Sequence, residues 1–296
     1  MKRAKIVDLC IVLDATMSNQ SIFTGMIDQF GDITFDLMAN TRHNKYNYGA
    51  VIYRDPVDYN EAPQNSELDE KTIEELKEQV AKEKKRRIEK LKATGMYDEE
   101  FELLKEENAR HFDKTAYPIN KNVPIQFSND YEKLISELMK VECDGGNDVP
   151  EDWVGALQIA LYELKWHEES RKCIIWISDA NAHGKRFCGF DNHNEEESKM
   201  EPLVRRLAEE KIDFIGINVI KSESNNGCHQ TLQEMKTMYE SFLPPKDTDQ
   251  NLPSFIIEEF KADYDANLYG ENDWPNDVID DFMATVSSSL KKINFE

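Results

Sequence analysis

The stretch IVDLCIVLDATMS, residues 6–18, joins a nearly continuous apolar run to a polar end. Only Asp8 interrupts the run before Asp14. A short apolar run of this kind favours a β-strand that is buried on both faces, as at the centre of a parallel sheet. Asp14, Thr16 and Ser18 then follow at the carboxyl end of the strand, which is where open α/β sheets bind ligands.

Strand and helix patterns alternate outward from this stretch. Further strands are predicted at 48–53, 123–127, 173–178, 212–219 and 254–260, and helices at 20–40, 130–141, 153–166, 195–211, 231–242 and 277–293. Alternation of this kind indicates an α/β fold of the Rossmann-like, doubly wound type, with a mostly parallel sheet and helices on both faces. We expect residues 1–296 to form a single domain.

Residues 64–114 differ from the rest of the chain in composition. LDEKTIEELKEQVAKEKKRRIEKLKATG, residues 68–95, consists of strong helix formers with interleaved charges of both signs. A second helical piece follows at 98–112. We predict a charged helical hairpin inserted into the domain. It is either a solvated spacer or a docking arm, and the sequence leaves both possibilities open.

The composition limits the classes of partner. The formal net charge of −22 should repel nucleic acid and anionic membranes, and it favours basic partners, divalent cations or plain solubility. The five cysteines are scattered, with no CxxC pair, which indicates a reducing compartment and a cytoplasmic protein. We interpret the N-terminal MKRAKIVDLCIVLD as leading into a strand and not as a signal peptide, because no small-residue cleavage site follows it.

Three separate segments place oxygen ligands next to predicted strands or helices. They are Asp14, Thr16 and Ser18; Asn147 and Asp148 in the glycine-rich loop 144–152; and Asp179 after the strand at 173–178. Alternate residues of an extended chain point the same way, so the first three side chains should converge. Hard oxygen ligands of this type suit Mg²⁺ or Mn²⁺. Asp14 and Thr16 could instead cap the following helix, and an aspartate that ends a strand is common.

The segment VLDATMS resembles the DxSxS signature of von Willebrand factor type A (VWA) domains, with Thr16 in place of the middle serine. The resemblance implies a VWA fold and a metal-ion-dependent adhesion site, or MIDAS. Family members bind Mg²⁺ at this site and usually leave one coordination position open to an acidic side chain of a partner.

Other segments resemble a narrower branch, the VWA domains of protist, microbial and α-kinase-linked proteins. That branch has YRD, GGGDxPED and DAPxHG motifs, which correspond here to residues 53–55, 145–152 and 179–184. Asn147 stands where the branch has glycine, and Asn181 where it has proline. The threonine ligand of integrin-type domains has no counterpart, so either Asn147 or Asp148 takes its place.

The ligand set implied by the resemblance affects the expected partner. Three ionised aspartates, Asp14, Asp148 and Asp179, around one Mg²⁺ leave the site with a charge of about −1 (−3 + 2). An incoming carboxylate is then disfavoured. We expect either a neutral or basic partner group or a purely structural metal.

Other candidate residues have simpler interpretations. His183, Cys188, Asp191 and His193 fit no standard zinc-finger spacing, and we expect His183 to order the loop that carries Asp179. Arg54 and Asp55 are interpreted as a buried ion pair. The four tryptophans, Trp153, Trp166, Trp176 and Trp274, are expected to pack in the core or between helices and sheet.

We therefore expect a non-catalytic, metal-dependent protein-interaction domain that binds Mg²⁺ or Mn²⁺ through Asp14, Thr16, Ser18, Asn147 or Asp148, and Asp179. One alternative is a metal-dependent hydrolase or phosphatase, since a metal held by carboxylates can activate water. Against it, no general base is paired with a nucleophile. The other alternative is a scaffold with a non-functional metal site.

Overall fold

A computed structural model of the chain describes residues 5–40, 44–54, 122–143, 150–189, 191, 193–221, 226–244, 252–264 and 274–293. Its strands form one six-stranded sheet with the order β3-β2-β1-β4-β5-β6. They are β1 (Ile6–Asp14), β2 (Lys45–Tyr53), β3 (Val123–Ser128), β4 (Arg171–Ser178), β5 (Asp213–Ile220) and β6 (Phe255–Lys261). Only the β2–β3 pair is antiparallel among the described strands. This is the strand order of Rossmann-like folds and confirms a mostly parallel α/β sheet.

Six helices within the described residues cover both faces of the sheet. They are α1 (Gln20–Asn40), α2 (Tyr131–Leu138), α3 (Trp153–Tyr162), α4 (Asn194–Glu209), α5 (His229–Phe242) and α6 (Asn276–Lys291). Helices α1, α2 and α6 contribute to one hydrophobic cluster, and α3, α4 and α5 contribute to the other. The predicted doubly wound arrangement is therefore confirmed.

Strand β1 lies at the centre of the fold, between β2 and β4. Its side chains alternate between the two hydrophobic clusters, with Leu9 and Ile11 in one and Cys10 and Val12 in the other. All four side chains are fully buried. The apolar run thus meets a helix layer on each face, as expected for a central parallel strand.

The tryptophans pack largely as predicted. Trp153 of α3 stacks on Trp176 of β4 with ring centroids 4.3 Å apart, and both are fully buried. Trp274 is buried next to α6, against Phe282. Trp166 is only partly buried and packs against Phe127. Stacked aromatic pairs of this kind contribute to core packing.

Helix α3 ends earlier than predicted, at Tyr162 instead of residue 166. Gln126 of β3 supplies the physical reason, because its side chain bonds to the backbone just past the helix end. Its Nε2 donates to the Glu163 carbonyl at 3.0 Å, and its Oε1 accepts from the Lys165 N–H at 3.1 Å. These bonds satisfy terminal backbone groups that would otherwise need another helical turn.

Several predictions concern residues outside the described ranges. They include the helical hairpin at 64–114, Asp55, and the proposed ligands Asn147 and Asp148. Among the helices that the structure describes, none combines the length and apolar character needed to cross a membrane.

Candidate metal centre at the strand ends

The carboxyl ends of three neighbouring strands meet at one edge of the sheet. Asp14 ends β1, Asp179 follows β4 and Lys221 follows β5. These strands are adjacent and parallel, so the residues that follow them are brought together although they are far apart in sequence. This is the edge at which open α/β sheets bind ligands.

The predicted extended geometry of Asp14–Ser18 is wrong, but the three side chains still converge. Strand β1 stops at Asp14, and residues Met17–Asn19 form a turn of 3₁₀ helix. The Thr16 hydroxyl and backbone N–H both donate to Asp14 Oδ1, at 2.7 and 3.0 Å. Thr16 Oγ1 also lies 3.3 Å from Ser18 Oγ. A turn, and not strand alternation, therefore brings these oxygens together.

Two residues at the site were missed by sequence reasoning. Asn19 Nδ2 donates to Asp179 Oδ1 at 2.9 Å. Lys221 Nζ lies 2.7 Å from Asp179 Oδ2, and it also donates to the Ser18 carbonyl and, at 3.2 Å, to Asn19 Oδ1. Lys221 immediately follows the apolar strand at 213–220. Its position at the end of a predicted parallel strand was the feature of the sequence that could have placed it at this edge of the sheet.

The two carboxylates of the site have opposite electrostatic environments. Burial raises the pKa of Asp14 to about 6, and the negative charge of Asp179 contributes to the shift. Burial also opposes ionisation of Asp179, but the Lys221 ammonium and the hydrogen bonds to its carboxylate outweigh that cost and lower its pKa. Asp179 is thus stabilised as an anion, whereas ionised Asp14 is costly in the metal-free protein.

The side chains beneath the site are fully buried. Ser178 Oγ donates to Asp14 Oδ2 at 3.2 Å. Tyr53 lies nearby and accepts a hydrogen bond from Trp176 Nε1 at 3.3 Å. Burial, and secondarily the charge of Asp14, hold the pKa of Tyr53 well above its usual value. The low local dielectric strengthens any interaction between Asp14 and a cation.

The oxygen atoms of the first segment have a donor chemistry and separations that are compatible with Mg²⁺. Neighbouring ligands of an octahedral Mg²⁺ with 2.0–2.1 Å bonds lie about 2.9 Å apart. The Asp14–Thr16 and Thr16–Ser18 oxygen separations, 2.7 and 3.3 Å, lie on either side of this value. Asp14, Thr16 and Ser18 thus fit such an ion, and Asp179 adds a second negative charge.

The glycine-rich loop is described only at its end, from Pro150 onward. The Glu151 N–H donates to the Asn181 carbonyl at 2.8 Å, which ties the end of this loop to the segment after Asp179. Asp152 then caps α3 by accepting from the Gly155 N–H at 2.7 Å. The assignment of Asn147 or Asp148 as a ligand stays a prediction.

Asn181, which replaces a proline of the resembling motif, has a structural role. Its Oδ1 accepts from both the backbone N–H and the hydroxyl of Thr231, at 3.0 and 2.9 Å. The Thr231 hydroxyl in turn accepts from the Ala182 N–H at 2.8 Å. These bonds attach the segment after Asp179 to the first turn of α5.

Arg54 is buried, and its guanidinium donates to the carbonyl of Glu142. Its backbone N–H donates to Asn122 Oδ1 at 3.0 Å. The predicted ion pair with Asp55 lies outside the described residues. These contacts connect the end of β2 to the segment after α2 and to the residue that precedes β3.

The loop after β4 contains a second group of metal-ligand side chains. His183, Asp191 and His193 lie together, each with one possible ligand atom within 4.8 Å of the others. Cys188, which the sequence placed beside them, does not belong to this group. Sequence reasoning judged these residues by finger spacing and so missed their proximity.

Comparisons with known proteins leave the family of the chain undetermined. No family model matches the chain, and no curated protein does. One similar solved structure is the pilus adhesin SpaC from Lactobacillus rhamnosus GG in its open conformation, with 8% identity and a TM-score of 0.45. The match covers 97% of this chain but only 30% of the adhesin. At that TM-score the likeness supports no argument about function.

Proposed function

We propose that the chain is a VWA-type domain that binds Mg²⁺ or Mn²⁺ at a MIDAS-type site and uses the metal to bind a protein partner, without catalysis of its own. The observation that carries the proposal is the convergence of Asp14, Thr16 and Ser18 oxygens beside Asp179 at the sheet edge. The DxTxS pattern at the end of a central strand, in a sheet of this strand order, supports it further.

The electrostatics of Asp14 give the metal a physical role. The hydrogen bonds to its carboxylate come from neutral groups, the Thr16 hydroxyl and N–H and the Ser178 hydroxyl. Its pKa is raised to about 6 by burial and by the charge of Asp179. A divalent cation offsets both effects, because it supplies positive charge where the carboxylate has lost water.

Lys221 changes the charge expected at the site. The three aspartates and Mg²⁺ sum to −1, and the ammonium brings the total to about 0 (−3 + 2 + 1). The site therefore repels the carboxylate of a partner less strongly than the charge of −1 inferred from the sequence would. The net charge of −22 still favours a basic partner through long-range attraction. We propose that a neutral or basic segment contacts the metal.

Metal binding is tested by calorimetric titration of the chelator-treated protein with MgCl₂ and MnCl₂. Asp14→Asn is the test variant and Asp8→Asn the control, because Asp8 is buried in the same strand β1 near its other end. We expect one strand-end site in the wild type and in Asp8→Asn, and none in Asp14→Asn. Both variants are first checked for native circular dichroism. Equal affinity in all three proteins would contradict the proposal.

Partner chemistry is tested with acidic and basic peptides in Mg²⁺ and in chelator. We expect basic peptides to bind in Mg²⁺ and to dissociate in chelator. Tight, metal-dependent binding of an acidic peptide would overturn the assignment of partner charge but not the metal site.

The alternative functions give different results in two simple measurements. Hydrolysis of generic phosphate esters with Mg²⁺ or Mn²⁺ that disappears in Asp14→Ala would identify a metal-dependent phosphatase. Absence of Mg²⁺ and Mn²⁺ binding in the folded wild type would identify a scaffold with a non-functional site.

A further inference from the structure

The loop between β4 and α4 folds back on itself and brings two imidazoles and one carboxylate together. His183 Nδ1 lies 3.4 Å from Asp191 Oδ2, and His193 Nδ1 lies 2.9 Å from Asp191 Oδ1. The two rings are nearly perpendicular, with centroids 4.8 Å apart. All three residues thus contact one another across the loop.

The backbone holds this arrangement in place. The Asp191 carboxylate accepts from the Gly184 N–H at 2.5 Å and from the His193 N–H at 3.3 Å. Gly184 has a φ of +107°, which a residue with a side chain rarely adopts, and a Cβ there would lie 2.5 Å from Glu197 Cγ. The loop therefore depends on glycine to position Asp191 between the histidines.

Burial distinguishes the cluster from ordinary surface histidines. The His183 and Asp191 side chains are 2% and 4% exposed, whereas His193 is 25% exposed. Two ligands are thus fixed in the protein interior, and the third lies at the surface. His193 is therefore the ligand through which the cluster reaches solvent.

We propose that His183, Asp191 and His193 form a second metal site, which binds Zn²⁺ and is separate from the strand-end site. Zn²⁺ accepts imidazole nitrogen and carboxylate oxygen, and sites with three protein ligands keep a fourth position for water. Ligand atoms around a tetrahedral Zn²⁺ with bonds of 2.0–2.1 Å lie about 3.3 Å apart. The His183–Asp191 distance of 3.4 Å and the His193–Asp191 distance of 2.9 Å lie on either side of this spacing.

The ligand types separate this site from the Mg²⁺ site. Imidazole suits Zn²⁺ and related transition metals, whereas carboxylates and hydroxyls suit Mg²⁺. Asp152 interacts electrostatically with His183, so a cation here has a further negative neighbour. Neutral histidines with Asp191 and Zn²⁺ sum to +1 (0 − 1 + 2), and Asp152 offsets that charge.

The test uses chelator-treated Asp14→Asn protein, in which the strand-end site is disabled. It is titrated with ZnCl₂ by calorimetry and with CoCl₂ by visible absorption, since Co²⁺ reports its coordination geometry directly. We expect one Zn²⁺ to bind per chain. Co²⁺ should give the absorption bands of tetrahedral coordination, and these bands should disappear when Zn²⁺ displaces the Co²⁺ ion. Mg²⁺ at millimolar concentration should not compete.

The ligands are tested by His193→Gln, with His229→Gln as the matched control. His229 is also a partly exposed histidine paired with a carboxylate, at 3.0 Å from Glu259. Loss of an outer-shell partner costs 10–100-fold in metal affinity, so loss of a ligand should weaken Zn²⁺ binding by about 100-fold or more. The control should bind like its parent.

His193 is the preferred position for this change because it is the most exposed ligand, and Asp191→Asn provides a second variant if His193→Gln does not fold. Absence of Zn²⁺ binding, or equal binding by His193→Gln and His229→Gln, would overturn the proposal and leave a hydrogen-bonded His–Asp–His cluster. Neither result bears on Mg²⁺ binding at Asp14.

Discussion

Strand β1 carries a buried aspartate near each end, and the two carboxylates have different environments. Asp8 accepts hydrogen bonds from Asn47 Nδ2, the His167 N–H and the Ser170 hydroxyl, each at 2.7 Å. The His167 ring nitrogen lies 3.0 Å from the same carboxylate. Asp14 accepts from Thr16 and Ser178, and a second carboxylate, Asp179, contributes to its raised pKa.

The difference separates a structural carboxylate from a candidate functional one. The donors around Asp8 compensate for the water it loses on burial, so its charge is part of the fold. Asp14 keeps an energetic cost that its neighbours do not remove, and such costs are concentrated at functional sites. Removing the Asp8 carboxylate should therefore lower stability and leave metal binding unchanged. Removing the Asp14 carboxylate should abolish metal binding without a comparable loss of stability.

The largest expected effect is the loss of stability in Asp8→Ala. The change removes the acceptor shared by three partly buried donors, the Asn47 amide, the Ser170 hydroxyl and the His167 N–H. Losing these three hydrogen bonds, at about 1–1.5 kcal/mol each, should cost about 3–4 kcal/mol of unfolding free energy, measured by urea denaturation. Mg²⁺ affinity of the folded fraction should not change. A loss below about 1 kcal/mol, or loss of Mg²⁺ binding, would refute the structural role of Asp8.

The second prediction concerns the pH dependence of stability in chelator. The folded pKa of Asp14 is about 6, above the ordinary aspartate pKa of 3.8, so the folded state binds more protons than the unfolded state between these values. Wild-type stability should therefore fall as pH rises from 4 to 7, by about 2–3 kcal/mol relative to Asp14→Asn. Urea midpoints of the two proteins at several pH values measure the difference.

Asp179 does not interfere in that pH window. Its pKa is lowered, so the stability it contributes is present above pH 3.8 and is lost only as pH falls further. Saturating Mg²⁺ should remove the decline, because the metal binds the ionised form of Asp14. Parallel curves for wild type and Asp14→Asn in chelator would show that the Asp14 carboxyl has no raised pKa.

The third prediction is that Lys221→Met binds Mg²⁺ about tenfold more tightly, a gain of about 1.4 kcal/mol. The Lys221 ammonium lies 2.7 Å from Asp179 Oδ2 and repels an incoming cation. Lys172→Met is the control, since Lys172 pairs with Glu210 at 2.9 Å and has similar exposure, 16% against 14% for Lys221. Weaker Mg²⁺ binding in Lys221→Met would show that the lysine supports the site instead.

The fold could be predicted largely from local patterns. The apolar run of β1 and the alternation of strands and helices predicted the sheet and its two helix layers. The hydrophobic periodicity of a segment reflects which of its own residues are buried, so it can be recognised from that segment alone. The end of α3 was misplaced because it depends on Gln126, a residue from another strand. Interactions between distant segments therefore set the boundary that local patterns missed.

The site could be predicted only in part, for the same physical reason. Asp14, Thr16 and Ser18 were recognisable because they are close in sequence, although their convergence uses a turn. Lys221 and Asn19 reach Asp179 across the sheet edge, and a single sequence does not show which side chains meet there. His183, Asp191 and His193 were singled out from the sequence together with Cys188 but were set aside, because their proximity depends on the fold of the loop.

The smallest expected effect is that of His167→Gln, at the amino end of β1. The His167 ring is half exposed, and its contact with Asp8 is one of several around that carboxylate. The backbone N–H of residue 167 still donates to Asp8 after the change. A half-exposed contact contributes little, so we expect a loss of about 0.5–1 kcal/mol by urea denaturation, with unchanged Mg²⁺ affinity. A loss as large as that of Asp8→Ala would mean that His167, and not the set of neutral donors, holds the Asp8 charge, and the contrast between the two ends of β1 would then rest on a single ion pair.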